Sequence, residues 1–83
     1  MYKVVYSKNA LKDVKRLDSI VKRKIGESIL RYSKNPLHYA QKLSSSDLGS
    51  YRWRAGNHRI IFDISEKRIE VLRIGHRRDI YKK

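Results

Sequence analysis

The sequence predicts an α+β fold of order β-α-α-β-β-β, with a helix hairpin packed on one face of a mainly antiparallel sheet. Three observations carry it. Apolar residues recur at helical spacing between Ala10 and Tyr32, and from Tyr51 onward the period falls to two. Between these regions stands the single proline. The residue before a proline avoids the α region, so Asn35-Pro36 ends the helical half.

The elements follow in order. Met1 to Tyr6 alternates, with Tyr2, Val4 and Tyr6 on one face, and suits a short strand. Ser7 is placed to cap the first helix, in which Ala10, Leu11, Val14 and Leu17 form one stripe. Asp18 caps the second, carried by Ile20, Val21, Ile25, Ile29 and Tyr32. Two helices joined by so little chain are expected to pack as an antiparallel hairpin. Gly26 costs the second helix about 1 kcal/mol relative to alanine, and its missing side chain is expected to admit a strand or the first helix. Leu37 to Ser50 reads as irregular, with Ser44-Ser45-Ser46 its most polar part. Tyr51 to Ala55, His58 to Ile64 and Arg68 to Gly75 then form three strands of a meander, turned at Gly56-Asn57 and at Ser65-Glu66-Lys67. The tail, His76 to Lys83, has room for one helical turn.

Eighty-three residues, 40% of them apolar, suffice for one domain over residues 1–83 with a lean core. No cysteine is present, which excludes a disulfide scaffold and a thiolate metal site. No aliphatic or aromatic run exceeds the length of Ile60-Ile61-Phe62, far short of a membrane span or a signal-peptide core. The chain is therefore expected to be soluble and cytoplasmic, without membrane association.

The net charge is +13, well beyond what solubility requires, and points to a polyanionic partner. Its two carriers are segregated. Positions 1–50 hold eight of eleven lysines but three of ten arginines; Arg52, Arg54, Arg59, Arg68, Arg73, Arg77 and Arg78 all follow. Lysines on helices, such as Lys12, Lys15, Lys22 and Lys24, suit a solvated face. Arginine binds phosphate bidentately and keeps its charge when buried. On a strand, residues i and i+2 share a face, so Arg52 and Arg54 must point the same way.

Catalytic options narrow quickly. The acids are dispersed, no histidine pair has ligand spacing, and no glycine-rich phosphate loop or nucleophilic serine motif is present. RNA cleavage without a metal or cofactor remains, because RNA supplies its own 2′-hydroxyl nucleophile. Such a site needs a base for that proton, cations for the pentavalent phosphate and a donor for the leaving 5′-oxygen. Arginines fit the middle role; Tyr81, His76 or His58 could fill the others. His58, in phase with Ile60, Phe62 and Ile64, fits a packed position better, and Trp53 reads as core under the helices.

The run Arg52-Trp53-Arg54-Ala55-Gly56-Asn57-His58-Arg59, followed by Gly75-His76-Arg77-Arg78-Asp79-Ile80-Tyr81, resembles the RelE/ParE toxin superfamily, and more closely RelE-type mRNA interferases. Upstream, Ser7 to Lys12 and Asn35 to Leu43 extend the likeness over essentially the whole chain. The resemblance implies a RelE-like fold and a toxin of a type II toxin–antitoxin system that cleaves mRNA in the ribosomal A site. It also implies a cognate acidic antitoxin, and operator DNA bound only through the antitoxin complex. By position, Arg52 and Arg54 replace two family lysines and Arg59 matches a strand arginine. Arg77 matches a proposed general acid, and Tyr81 a proposed general base. His76 stands where other branches use histidine, so it and Tyr81 are competing bases. Arg73, Arg78, Lys42 and Lys82 are expected to hold RNA beside them. Two other readings fit the same residues: a ParE-like inhibitor of DNA gyrase, and a basic RNA-binding module without catalysis.

Overall fold

The computed structural model describes residues 2–43 and 49–81. Lys3–Tyr6 (β1) leads into Lys8–Arg16 (α1) and Ser19–Tyr32 (α2). A short helix, Pro36–Tyr39 (α3), and a two-residue strand, Gln41–Lys42 (β2), come next. The chain then runs through Tyr51–Ala55 (β3), His58–Ser65 (β4) and Arg68–His76 (β5). Among the described residues the strands form one sheet of order β1-β5-β4-β3-β2. Only β1 is parallel to its neighbour, pairing Lys3 with Arg68 through Tyr6 with Val71. The expected α+β architecture and the β3–β4–β5 meander are thus present.

The helix ends obey their local chemistry. The Ser7 hydroxyl oxygen accepts from the Ala10 amide at 3.0 Å and donates to the Leu72 carbonyl at 2.9 Å, joining the cap of α1 to β5. Asp18 Oδ1 accepts from the Val21 amide at 2.9 Å. Ala10, Ile25 and Ile29 close over Trp53, Ile60, Phe62, Ile69, Val71 and Ile74 to make the core. At its centre Trp53 stacks on Phe62 with ring centroids 4.0 Å apart.

Three expectations change. The two helices do not close tightly on each other: an apolar groove of about 250 Å³, lined by Leu11, Val14, Leu17, Ile25 and Ile29, opens between them. Gly26 lies along this groove, and a Cβ there would meet nothing within 4 Å, so the glycine admits no close neighbour. Part of the segment read as irregular is ordered by the core. Pro36 is buried and its carbonyl accepts from Trp53 Nε1 at 3.0 Å, which anchors α3, with proline at its first position where no helical N–H is needed. Gln41 and Lys42 then pair with Arg52 and Tyr51 as β2. Ser44, Ser45 and Ser46 lie outside the described residues.

The tight hairpin between β3 and β4 needs a left-handed residue, which Gly56 provides at φ +62°. In β5, a bulge inserts Leu72 between Val71, opposite Phe62, and Arg73, opposite Ile61. Gly49 rests on the face away from the core helices; a Cβ there would fall 2.8 Å from Ile61 and 2.9 Å from Leu72. This face, turned away from the core helices, is the open face below.

Candidate active site

Alternation along β3 builds the site. Trp53 points into the core, so Arg52 and Arg54, one residue to either side, lie on the open face. The register sets Arg54 directly opposite Arg59. Like charges in facing positions of an antiparallel pair are destabilising, so folding alone does not favour this arrangement. Arg59 is 9% exposed, and its Nη1 donates to the Gly56 and His58 carbonyls at 2.9 Å each, pinning the hairpin turn. Burial first, and then repulsion from Arg54, Arg52 and Arg77, draws its guanidinium below the usual range, with Tyr81 acting in the opposite sense. Arg59 therefore sits in a field that is positive on balance, with Arg54 across the strand pair from it.

Tyr81 arrives by way of the C-terminal turn. Gly75 stands opposite Arg59 in the register, and the chain folds back so that Ile80 is buried over it. A Cβ at Gly75 would meet Ile80 Cδ1 at 3.0 Å, so glycine here admits the returning chain. One residue later, the Tyr81 hydroxyl accepts from Arg52 Nη1 at 2.8 Å. The Nε and Nη2 groups of the same guanidinium donate to Gln41 Oε1, the former at 2.8 Å. Arg52 is thus clamped between β2 and the tail. The Tyr32 hydroxyl donates to the Arg54 carbonyl at 2.7 Å, which ties α2 to the backbone that presents both arginines.

The remaining candidates are placed differently. His76 faces the helix side, paired in register with His58, their rings 5.5 Å apart and edge-on. Together they line a cavity of about 300 Å³ with Val21, Lys24 and Ile25. His76 is consequently separated by the sheet from the Arg52–Tyr81 contact, because its phase follows Ile74 rather than Gly75. Burial, then His76 and Arg59, lower the pKa of His58, with Asp18 opposing. Arg73 Nε and Nη2 donate to the two oxygens of Asp13 at 2.9 and 3.2 Å, and Asp13 Oδ2 also accepts the Ile74 amide at 2.9 Å. The carboxylate holds the Arg73 guanidinium above its usual range and caps the edge of β5 left free where β1 ends. Arg78 and Lys42 are exposed; Lys82 lies outside the described residues. Among the described residues no three histidine or carboxylate side chains come together that could hold a metal ion.

A family model, the ParE toxin of type II toxin–antitoxin systems, matches residues 4–81. The chain belongs to this toxin family, within the RelE/ParE superfamily. The toxin's fold is similar to a chain of the RelBE2 toxin–antitoxin complex from Mycobacterium tuberculosis, with a TM-score of 0.83 and 23% identity over 90% of this chain and 96% of that one. It is also similar to a chain of the RelB–RelE antitoxin–toxin complex from Methanococcus jannaschii (TM-score 0.72, 25% identity, 94% and 95% covered). A third likeness is to the YoeB dimer from Staphylococcus aureus (TM-score 0.72, 22% identity, 90% and 95% covered). A search of curated proteins returns no match.

The toxin therefore carries, on one sheet face, the guanidinium groups of Arg52, Arg54 and Arg59 and a phenol in contact with the first of them. Such a site can grip a phosphodiester from several sides while a hydroxyl gives or takes a proton. Sequence reasoning missed Gln41 and Ile80. Gln41 sits in a strand too short for any period; for Ile80 the available signal was Gly75, since a glycine within a strand pattern marks close approach of another chain segment.

Proposed function

We propose that this toxin is a ribosome-dependent endoribonuclease that cleaves mRNA through attack of the 2′-hydroxyl on the adjacent phosphate. The observation that carries the reading is the pairing on one sheet face of Arg54 opposite Arg59 with Arg52, whose guanidinium meets the Tyr81 hydroxyl at 2.8 Å. In this mechanism the Tyr81 hydroxyl first gives up its proton to solvent, and the phenolate oxygen, held by Arg52 Nη1, takes the 2′-proton as the new O–P bond forms. Arg52, Arg54 and Arg59 donate to the non-bridging oxygens of the pentavalent phosphate, whose extra negative charge offsets their mutual repulsion. Arg77, on the turn, donates a hydrogen bond to the 5′-oxygen, which departs as its bond to phosphorus breaks and takes its proton from water. The products are a 2′,3′-cyclic phosphate and a 5′-hydroxyl. The chemistry needs no metal, because the nucleophile comes from RNA and the charge stabilisation from guanidinium groups. Arg78 and Lys42 extend the contact to flanking phosphates.

In this reading the single toxin domain acts in the cytoplasm, where its substrate is translated. Its restraint is a cognate acidic antitoxin, through which operator DNA is engaged. The relatives solved as toxin–antitoxin complexes support such a partner. With a net charge of +13 and an apolar groove between α1 and α2 edged by Lys22, the toxin suits an acidic amphipathic helix.

The deciding experiment expresses the toxin with antitoxin withheld and maps 5′ ends of translated mRNAs by primer extension. Codon-registered cuts that vanish in Arg77→Ala and Tyr81→Phe are expected; their absence, or cuts undiminished in both variants, overturns the proposal. The match to the ParE family favours a second reading, inhibition of DNA gyrase, which a supercoiling assay with purified toxin detects directly.

A further inference from the structure

The turn that delivers Tyr81 is organised from the opposite side of the sheet. Its four amides, residues 77–80, all have partners. The Arg77 amide donates to the Asn57 carbonyl at 2.8 Å, and those of Asp79 and Ile80 both donate to the His76 carbonyl at 2.9 Å. The Arg78 amide donates to the imidazole Nδ1 of His76 at 3.1 Å. His76 thus does for this turn what a serine or asparagine cap does for a helix: its side chain accepts from residue i+2 while its carbonyl accepts from i+3 and i+4. The acceptor role of Nδ1 leaves the imidazole proton on Nε2. A smaller capping residue would leave space that the ring fills, because His76 also packs edge-on against His58 and lines the cavity beside Val21 and Ile25.

We propose that His76 is a positioning residue: bound from the helix side, its Nδ1 and carbonyl oxygen shape the turn so that Ile80 seats over Gly75 and Tyr81 meets Arg52. The inference deepens the nuclease reading and rests on it only for the kinetic measurement. It gives His76 a role other than that of proton acceptor, which its separation from the Arg52–Tyr81 contact disfavours.

The test compares His76→Ala and His76→Asn in the full chain. Asparagine presents an oxygen where Nδ1 stands and can still accept the Arg78 amide, but it removes the imidazole as a base. In ribosome-programmed mRNA cleavage, alanine is expected to lower kcat by about 10- to 100-fold, the scale of a roughly 1 Å misplacement, with KM little changed; asparagine is expected to restore most of kcat. Without any substrate, nuclear Overhauser contacts between the Tyr81 ring and the Arg52 side chain should weaken in His76→Ala and persist in wild type and His76→Asn. Equal loss of kcat in both variants with the Tyr81–Arg52 contacts intact would mean that the imidazole acts chemically, and would overturn the proposal. So would contacts retained in folded His76→Ala, whatever its melting temperature. If wild type cleaves no RNA, the nuclease reading fails while the contact comparison still decides the role of His76.

Discussion

At the scale of single residues, Asp13 does more than its position on a lysine-rich helix suggests. It satisfies the Ile74 amide and holds the Arg73 fork, so the free edge of β5 and a guanidinium depend on one partly buried carboxylate. Asp13→Ala leaves an amide donor without its partner and should cost about 1–3 kcal/mol. Urea denaturation measures this, and an unchanged midpoint would show that water replaces the carboxylate at no cost. His58 predicts a pH dependence. Its pKa is lowered on folding from the ordinary 6.5, chiefly by burial. The unfolded chain therefore binds more protons in that window, and this contribution to stability is lost as pH falls through the unfolded and then the folded pKa. Denaturation midpoints at about pH 7.5 and about pH 5.5 should differ less in His58→Gln than in wild type; equal differences would refute the assignment.

At the scale of elements, the C-terminal turn is the component on which the site depends and the core does not. Ile80 is buried against Gly75 on the open face and takes no part in the helix-side cluster. Ile80→Ala should lower stability by about 2 kcal/mol, the low end for a buried isoleucine because the site lies at the periphery. Its effect on the site should be larger, since Tyr81 then loses the anchor that sets it beside Arg52. A chain that remains cooperatively folded but has lost the Tyr81–Arg52 contact by nuclear Overhauser measurement is the expected result. Retention of that contact would show that the hydrogen bonds to His76 hold the turn unaided. α3 and β2 illustrate the same dependence: Trp53 anchors the one and Arg52 pairs with the other, so a strand of two residues becomes part of the site.

For the whole molecule, the segregation of arginine from lysine becomes a difference between two sides. The helices spread lysine over solvent, whereas β3 and β4 set Arg52, Arg54 and Arg59 on the open face. Binding of a single-stranded RNA oligonucleotide should weaken linearly on a double-logarithmic salt plot. Each phosphate contact contributes a slope of about 0.7, so Arg54→Ala should reduce the slope by about that amount and Lys15→Ala by nothing measurable. Equal reductions would mean that net charge, and not the arginine face, governs the association.

Much of this was legible in the chain. Local rules placed the caps Ser7 and Asp18, the break at Asn35-Pro36, the meander and the inward Trp53, because each depends on neighbours a few residues away. Alternation also determined that Arg52 and Arg54 share a face. Contacts between distant segments were decided only in three dimensions: the parallel seat of β1 beside β5, the groove between helices that Gly26 leaves open, the capture of Arg73 by Asp13, and the division of Tyr81 from His76 by the sheet. Five positions separate those last two in the chain, too few for a period to specify a face once regular structure ends. It is the fold-back over Gly75, a packing event, that sends the phenol to one side while the imidazole stays on the other.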